Sequence, residues 1–488
     1  MNLQKLTLTE AAEALAAGKL TSRSLVEALL ARTETTDGSI GAYASLDAER
    51  ARREADAADA RRAAGKILSR FDGLPIAMKD NIAVKDEVVQ CGSKILDGLK
   101  STYDATVVSR LRAAGVIPMG RSNMDEFAMG STSENSQIKT TRNPWNAQRV
   151  PGGSSGGAAA GVAAGSMLAA LGSDTGGSIR QPAAFCGTVG LKPTYGTVSR
   201  FGLVAYASSL DQIGPVTRDV RDCAELYDLI AGHDPMDSTS IPGPRESAVA
   251  ALAQDVKGLR VGLPKEWLEV DGLDPECRAA VEKAVKALEA RGASVVPVAL
   301  PHTKYAIPAY YVIATAEAST NLARFDGIRY GNRVEGKRLE GETDILSLYK
   351  STRAQGFGKE VQRRILLGTF VLSKGYADRY YLQAQKVRTL IKRDFDAAFA
   401  QCDVIAGPVA PGVAPAFGDL KDPIKAYLSD VLTIGVNLAG LPALSVPCGL
   451  VHGLPVGLQL VGPALAENTL IRTAAAVEKD FSLAAAPC

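Results

Sequence analysis

The sequence predicts an α/β fold, a large mixed β-sheet core covered by helices on both faces. Three observations predict it. An apolar strand-like run at residues 74–78 is followed by a helical pattern at 105–114 and a second strand pattern at 116–119, and alternation of this kind marks layered α/β architecture. A strand–helix–strand unit recurs at 259–263, 275–291 and 293–298. The chain also carries 47 glycines, which fall largely in turns between such elements.

The elements follow in order. Thr7-Leu-Thr-Glu10 has the spacing of a capping box, and Gly18 is the matching helix exit. A second helix is expected from about Ser22, with Leu25, Leu29 and Leu30 on one face. Residues 47–64, rich in Ala, Arg, Asp and Glu and ended by Gly65, form a third, whose charges read as a solvated face. Residues 157–166 read as a small-residue helix and 167–171 as a strand. Residues 178–185 read as a helix that would place Ser178 at its N-terminus. Residues 201–217 are loop-rich and 219–231 helical. Pro, Ser, Asp and Gly crowd 234–247, the best internal loop boundary. Asp274-Pro275 opens the helix of the second unit and Gly292 ends it. Helices are expected at 307–321, 360–368, 374–400 and 424–437, with strands at 403–406, 443–446 and 456–461. Residues 331–343 are charged, irregular and exposed in this reading, and no internal repeat is visible.

Composition narrows the function. At 488 residues the chain can bury a large core or hold two or three ordinary domains. Hydrophobic residues at 46% and charged residues at 22% suit a soluble globular protein. A net charge of +2 provides no basic field for nucleic acid or an anionic membrane, so any RNA is held mostly by a partner. The seven cysteines are scattered, odd in number and without a Cys-x-x-Cys pair, which points to free thiols in a reducing compartment and no zinc site. The start lacks the apolar core of a signal peptide, and no apolar run is long enough to span a bilayer. A cytoplasmic location is expected.

Two glycine-rich turns carry the chemistry. Residues 152–157 hold Ser154 and Ser155, and residues 172–178 hold Ser173, Asp174, Thr175 and Ser178. Such turns let main-chain N–H groups converge on one cavity, where they bind phosphate or hold an oxyanion. Plain tight turns are the bland alternative. A phosphate loop needs a lysine after the glycines, and none follows either turn. Gly152-Gly153-Ser154-Ser155-Gly156 fits Gly-x-Ser-x-Gly, but that elbow needs a later acid and histidine. His233, His302 and His452 all fall in loop or turn settings, which argues against a Ser-His-Asp machine. Lysine is the next candidate base, and it works only when neutral, hence desolvated or crowded by positive charge. Lys79 ends the apolar run at 74–78, at the mouth of a buried strand. Lowering a lysine from about 10.4 towards 7 takes roughly 4 kcal/mol of differential solvation. A strand-end lysine reaching water is the alternative.

Lys79 in Met-Lys-Asp-Asn-Ile, the run Gly-Gly-Ser-Ser-Gly-Gly at 152–157 and Ser-Asp-Thr-Gly-Gly-Ser-Ile-Arg-Gln-Pro-Ala at 173–183 resemble the amidase signature family. The resemblance implies the amidase signature fold and a Ser-cis-Ser-Lys catalytic set. Ser178 would be the nucleophile, Ser154 the serine preceded by a cis peptide and Lys79 the base. The N–H groups of Thr175, Gly176, Gly177 and Ser178 would form the oxyanion hole. It also implies a single amidase domain over 1–488: an N-terminal helical segment at 1–65, the signature core at 66–232, and the rest of the α/β core with glutamine-recognition elements at 248–488.

Residues 191–204, 208–216 and 356–365 are similar, within that family, to the glutamine-hydrolysing subunits of tRNA-dependent amidotransferases. Ala158 departs from the relatives' frequent serine. Glutamine needs a cation for its α-carboxylate, and a bidentate arginine suits it. The resemblance implies Arg364 in that role, with the adjacent Arg363 left open, together with Asp430 and Tyr310 as further substrate-binding residues. It implies no metal and no cofactor on this chain. It implies a heterotrimer completed by B and C subunits. The larger of these, a kinase-transferase, would use ATP and Mg2+ to activate glutamate on mischarged tRNA, and the small one would brace the surface of this chain. Service to Asp-tRNA(Asn) stays open. The rivals are a free-standing amidase for small carboxamides, which needs neither Arg364 nor Asp430, and an inactive scaffold, which would not need Lys79, Ser154 and Ser178 together.

Overall fold

The computed structural model describes residues 5–334, 343–483 and 486–488. Strands buried at every position are strands covered on both faces. That pattern holds for β2 Pro75–Lys79, β3 Ile117–Ser122, β4 Ala170–Asp174, β5 Val189–Lys192, β6 Gln212–Thr217, β9 Val404–Pro408 and β11 Leu454–Val461. The remaining strands are β1 Tyr43–Ser45, β7 Arg260–Pro264, β8 Ser294–Val298 and β10 Ala443–Val451. Among the described residues eleven strands join in one sheet, in the order β1-β3-β2-β4-β6-β5-β10-β11-β9-β7-β8. Parallel pairs β3/β2/β4 and β9/β7/β8 flank a central antiparallel block. The partly exposed β1 and β8 form the outer edges.

The helices end where their caps dictate. Leu8–Ala16 opens on the Thr7/Glu10 capping box with both reciprocal bonds formed, and Asp47 caps Ala48–Ala63. Pro275–Ala290 starts on Asp274 with proline in its first turn. The small-residue helix Gly156–Ala164 packs under the sheet against Ala77, Ala170 and Val216. A Cβ at Gly157 would meet the carbonyl oxygens of Ala42 (2.5 Å) and Asn123, so only glycine allows this approach.

Several expectations need correction. Residues 201–217 end in β6, because pairing with β4 makes a strand of a stretch whose Gly214-Pro215 reads locally as a turn. The strand expected at 167–171 is shifted to Ala170–Asp174, since the chain first crosses back from the left-handed Gly165. The helix expected at 178–185 begins at Arg180, so Ser178 precedes it by two residues. The single helix expected at 424–437 is two, Pro423–Leu428 and Ile434–Ala439, and the break carries Asp430 and Thr433. There the Thr433 hydroxyl leaves the helical pattern to bond the Gly176 carbonyl. The helix expected at 374–400 spans Tyr381–Phe399. Strands β1 and β5 and helices Asp344–Gly356 and Glu467–Phe481 were not anticipated. Of the charged stretch 331–343, residues 335–342 lie outside the described residues, and 331–333 are exposed.

β2 and β4 run parallel side by side, with Ala77 opposite Ala170 and Met78 opposite Leu171. Their C-terminal ends therefore deliver Lys79 and the turn after Asp174 to the same edge of the sheet, the usual location of ligand sites in such sheets.

Candidate active site

Lys79 is fully buried, and its ammonium meets both serines of the first glycine turn. Nζ donates to Ser154 Oγ at 2.7 Å, to Ser155 Oγ at 2.8 Å and to the Ser173 carbonyl at 3.1 Å. The Gly153–Ser154 peptide is cis. The Asp125 carboxylate packs against Gly153 and accepts from the N–H groups of Ser133 (3.0 Å) and Asn135 (3.1 Å). Burial pulls the Lys79 amine down to about 7, and the opposing pull of Asp125, Asp174 and Asp211 does not restore it. The solvated alternative for Lys79 is thus removed.

The second turn abuts the first, because Ser155 N–H donates to the Ser178 carbonyl at 3.1 Å. Its shape is held from below by Asp174, whose carboxylate accepts from Gly177 N–H at 2.8 Å and Ile179 N–H at 3.1 Å. Arg180 binds the same carboxylate through Nε and Nη2, each at 3.1 Å, and Asn437 Nδ2 adds a bond of 2.8 Å. Burial alone would raise the Asp174 carboxyl, but Arg180, Lys192 and Asn437 together outweigh it and hold the group well below the usual carboxylate range. Of the four main-chain N–H groups expected as oxyanion donors, one already has a protein acceptor. The N–H groups of Thr175, Gly176 and Ser178 have no acceptor among the described residues, whereas that of Gly177 is committed to Asp174. Ser178 is buried, with 8% of its surface exposed.

Of the other expected residues, Tyr310 touches the second turn, and Arg364 and Asp430 are buried. Arg364 is buried on the inner face of helix Lys359–Val371. Its Nε donates to Glu360 Oε1 at 2.8 Å and its Nη1 to the Tyr206 hydroxyl at 2.7 Å. Its guanidinium lies 5.6, 5.2 and 5.5 Å from the ring centres of Tyr206, Tyr311 and Tyr427, within cation–π range. Arg363 points outward, half exposed, and pairs with Glu360. Of the two adjacent arginines, Arg364 is the one that faces the interior. Tyr310 is buried with its hydroxyl against Gly176, where an added Cβ would approach it to 2.7 Å. Asp430 is buried, bonded by Ser131 and by Gln181 Nε2 at 3.4 Å, and burial pushes its carboxyl up to about 7. A cavity of about 230 Å3 is lined by Ser131, Glu360, Arg364 and Tyr427, but not by Tyr310, Asp430 or Ser178. A larger one, about 490 Å3, lies against Trp145, Glu478 and Phe481 and reaches none of them.

Sequence reasoning missed Tyr206, Tyr311, Tyr427, Asp211 and Thr433. Only Tyr311, beside Tyr310, and Tyr427, three residues before Asp430, carried a local signal. The histidines stand apart from the site: His302 pairs with Asp394 at 2.8 Å and His452 forms the β10–β11 turn. Among the described residues no group of three or more His, Cys, Asp or Glu is placed to hold a metal ion. No described helix is long and apolar enough to cross a membrane.

Residues 24–471 match the Amidase family model. The chain is 55% identical over 488 residues to the A subunit of the glutamyl-tRNA(Gln) amidotransferase of Anaeromyxobacter dehalogenans, covering 99% of this chain and 98% of the relative. Its fold is similar to the crystal structure of the A subunit of the glutamyl-tRNA(Gln) amidotransferase from Thermotoga maritima, with a TM-score of 0.81, 40% identity, and coverage of 98% of this chain and 95% of that one. It is also similar to the native peptide amidase of Stenotrophomonas maltophilia, with a TM-score of 0.84, 32% identity, and coverage of 99% and 98%.

Proposed function

The chain belongs to the amidase family, and on that premise we propose that it acts as the glutamine-hydrolysing subunit of a tRNA-dependent amidotransferase. It supplies the ammonia that converts Glu-tRNA(Gln) to Gln-tRNA(Gln). The observation that carries the reading is one buried amine bonded to Ser154 at 2.7 Å.

In this reading Ser178 attacks the side-chain carbonyl carbon of glutamine. Its proton passes to Ser154, and that of Ser154 to the neutral Lys79 amine. Thr175, Gly176 and Ser178 hold the oxyanion with main-chain N–H groups; each such donor is worth about 3–4 kcal/mol in related chemistry. Lys79 returns the proton through Ser154 to the departing ammonia, and water then releases glutamate from the acyl-enzyme. Arg364 takes the α-carboxylate and Asp430 the α-ammonium, whose positive charge favours the ionised aspartate. Tyr310 closes the pocket beside Gly176. The whole chain serves as one catalytic domain. It works within a multi-subunit amidotransferase. The tRNA, and the ATP and Mg2+ that activate its glutamate, are assigned to a kinase-transferase partner, and a third, small partner completes the heterotrimer.

Arg364→Lys is expected to raise the KM for glutamine about tenfold to a hundredfold, the worth of a lost charge-assisted bond, while Arg363→Ala leaves it within about twofold. Turnover of propionamide, which has no α-carboxylate, should not change in either variant. Steady-state kinetics of both variants decides the assignment, and a larger effect at Arg363 would reverse it. Equal turnover of propionamide and glutamine by the wild-type protein would instead favour a free-standing amidase.

A further inference from the structure

Two hydrogen-bonded links leave the oxyanion turn and end on the residues assigned to the amino-acid head of glutamine. The first runs through Asp211. Its Oδ1 accepts from Thr175 Oγ1 at 2.7 Å, and the same carboxylate accepts from the N–H groups of Tyr206 at 2.9 Å and Ala207 at 3.1 Å. The Tyr206 hydroxyl in turn accepts from Arg364. The second runs through Thr433. Its hydroxyl donates to the Gly176 carbonyl at 2.6 Å and lies 3.1 Å from the Asp430 carbonyl, which also accepts from Thr433 N–H at 3.0 Å. Thr433 also packs directly on Gly177. Asp211 is 2% exposed and Thr433 fully buried, so neither link is diluted by solvent.

We infer that Asp211 and Thr433 are positioning residues that fix the span between the oxyanion turn and the Arg364/Asp430 pair, and so set the chain length of the amide substrate. The inference rests on the reading of Arg364 and Asp430 as ligands of the substrate head. A head held at both charges leaves the carboxamide only the reach of its methylenes. Glutamine has one methylene more than asparagine. With the span fixed, the shorter amide cannot lay its carbonyl oxygen on the N–H groups of Thr175, Gly176 and Ser178. One methylene in such a pocket discriminates by about tenfold to two-hundredfold, and a misplacement of about 1 Å costs about a hundredfold in rate.

The test compares glutamine, asparagine and propionamide, using the full chain with the proteins it co-purifies with. Thr433→Val removes the hydroxyl at constant shape, Thr433→Ser restores it, and Asp211→Asn loosens the other link. The wild-type protein is expected to prefer glutamine over asparagine by at least about tenfold. In Thr433→Val and Asp211→Asn, kcat for glutamine falls about tenfold or more with KM within about threefold, because the head ligands remain. The glutamine preference shrinks, propionamide turnover falls less than glutamine turnover, and Thr433→Ser behaves as wild type. Equal losses on all three substrates, or an unchanged preference in folded variants, would overturn the inference alone. A wild-type protein with no preference for glutamine would overturn the reading beneath it as well.

Discussion

Replacing Ser178 with alanine removes glutamine hydrolysis by about four orders of magnitude or more, the scale of losing the nucleophile in a serine hydrolase. The fold survives, because the structural bond at this position is made by the main-chain carbonyl, which accepts from Ser155 N–H at 3.1 Å. The turn itself is anchored by Asp174 and Arg180, whose contacts an alanine at 178 leaves in place. A glutaminase assay paired with a thermal melt checks both halves. Activity above about one part in a hundred in a normally melting variant is far more than the oxyanion donors alone sustain, and would take Ser178 out of the chemistry.

Lys79→Met has the second largest effect, about a thousandfold or more in kcat, and it carries a pH signature. In the wild-type protein the amine is held at about 7 by burial, so kcat/KM rises with pH up to a plateau above that value and falls about tenfold per unit below it. The variant loses this ascending limb. The same burial acts on stability with a definite sign. Between about 7 and the ordinary lysine value near 10.4, the unfolded chain binds a proton that the native protein does not. Raising pH through that window therefore stabilises the native state, and below it the penalty is complete, on the order of 4 kcal/mol. Lys79→Met should melt higher than wild type at pH 6, with the gap closing towards pH 10. Urea titrations at several pH values measure this, and a variant less stable than wild type at pH 6 contradicts the desolvated amine.

The candidate catalytic set was legible because its parts are short, contiguous and chemically unusual. Two glycine turns carry the serines, and an apolar strand ending in lysine signals a charge with little water around it. The pocket proposed for the amino-acid head was legible only through resemblance. Its walls come from residues 206, 310–311, 364 and 427–433, which no local period relates. Asp211 and Thr433 were invisible for the same reason, since each matters through a partner far away in sequence. β6 was missed because Gly214 and Pro215 are turn residues by propensity. In the sheet they face Gly172 and Leu171, and Gly214 lies against the Leu191 carbonyl where a side chain has no room. The helical pattern over 424–437 was locally sound, and a tertiary bond from Thr433 broke it.

The order of strands bears on how the molecule is made. β10 and β11, from residues 443–461, stand mid-sheet and bridge β5 to β9. A nascent chain therefore has two unpaired strand edges, buried in the finished protein, until residues 443–461 leave the ribosome. Those edges are templates for pairing with other chains. A chain stopped before Ala443 should accumulate as aggregate.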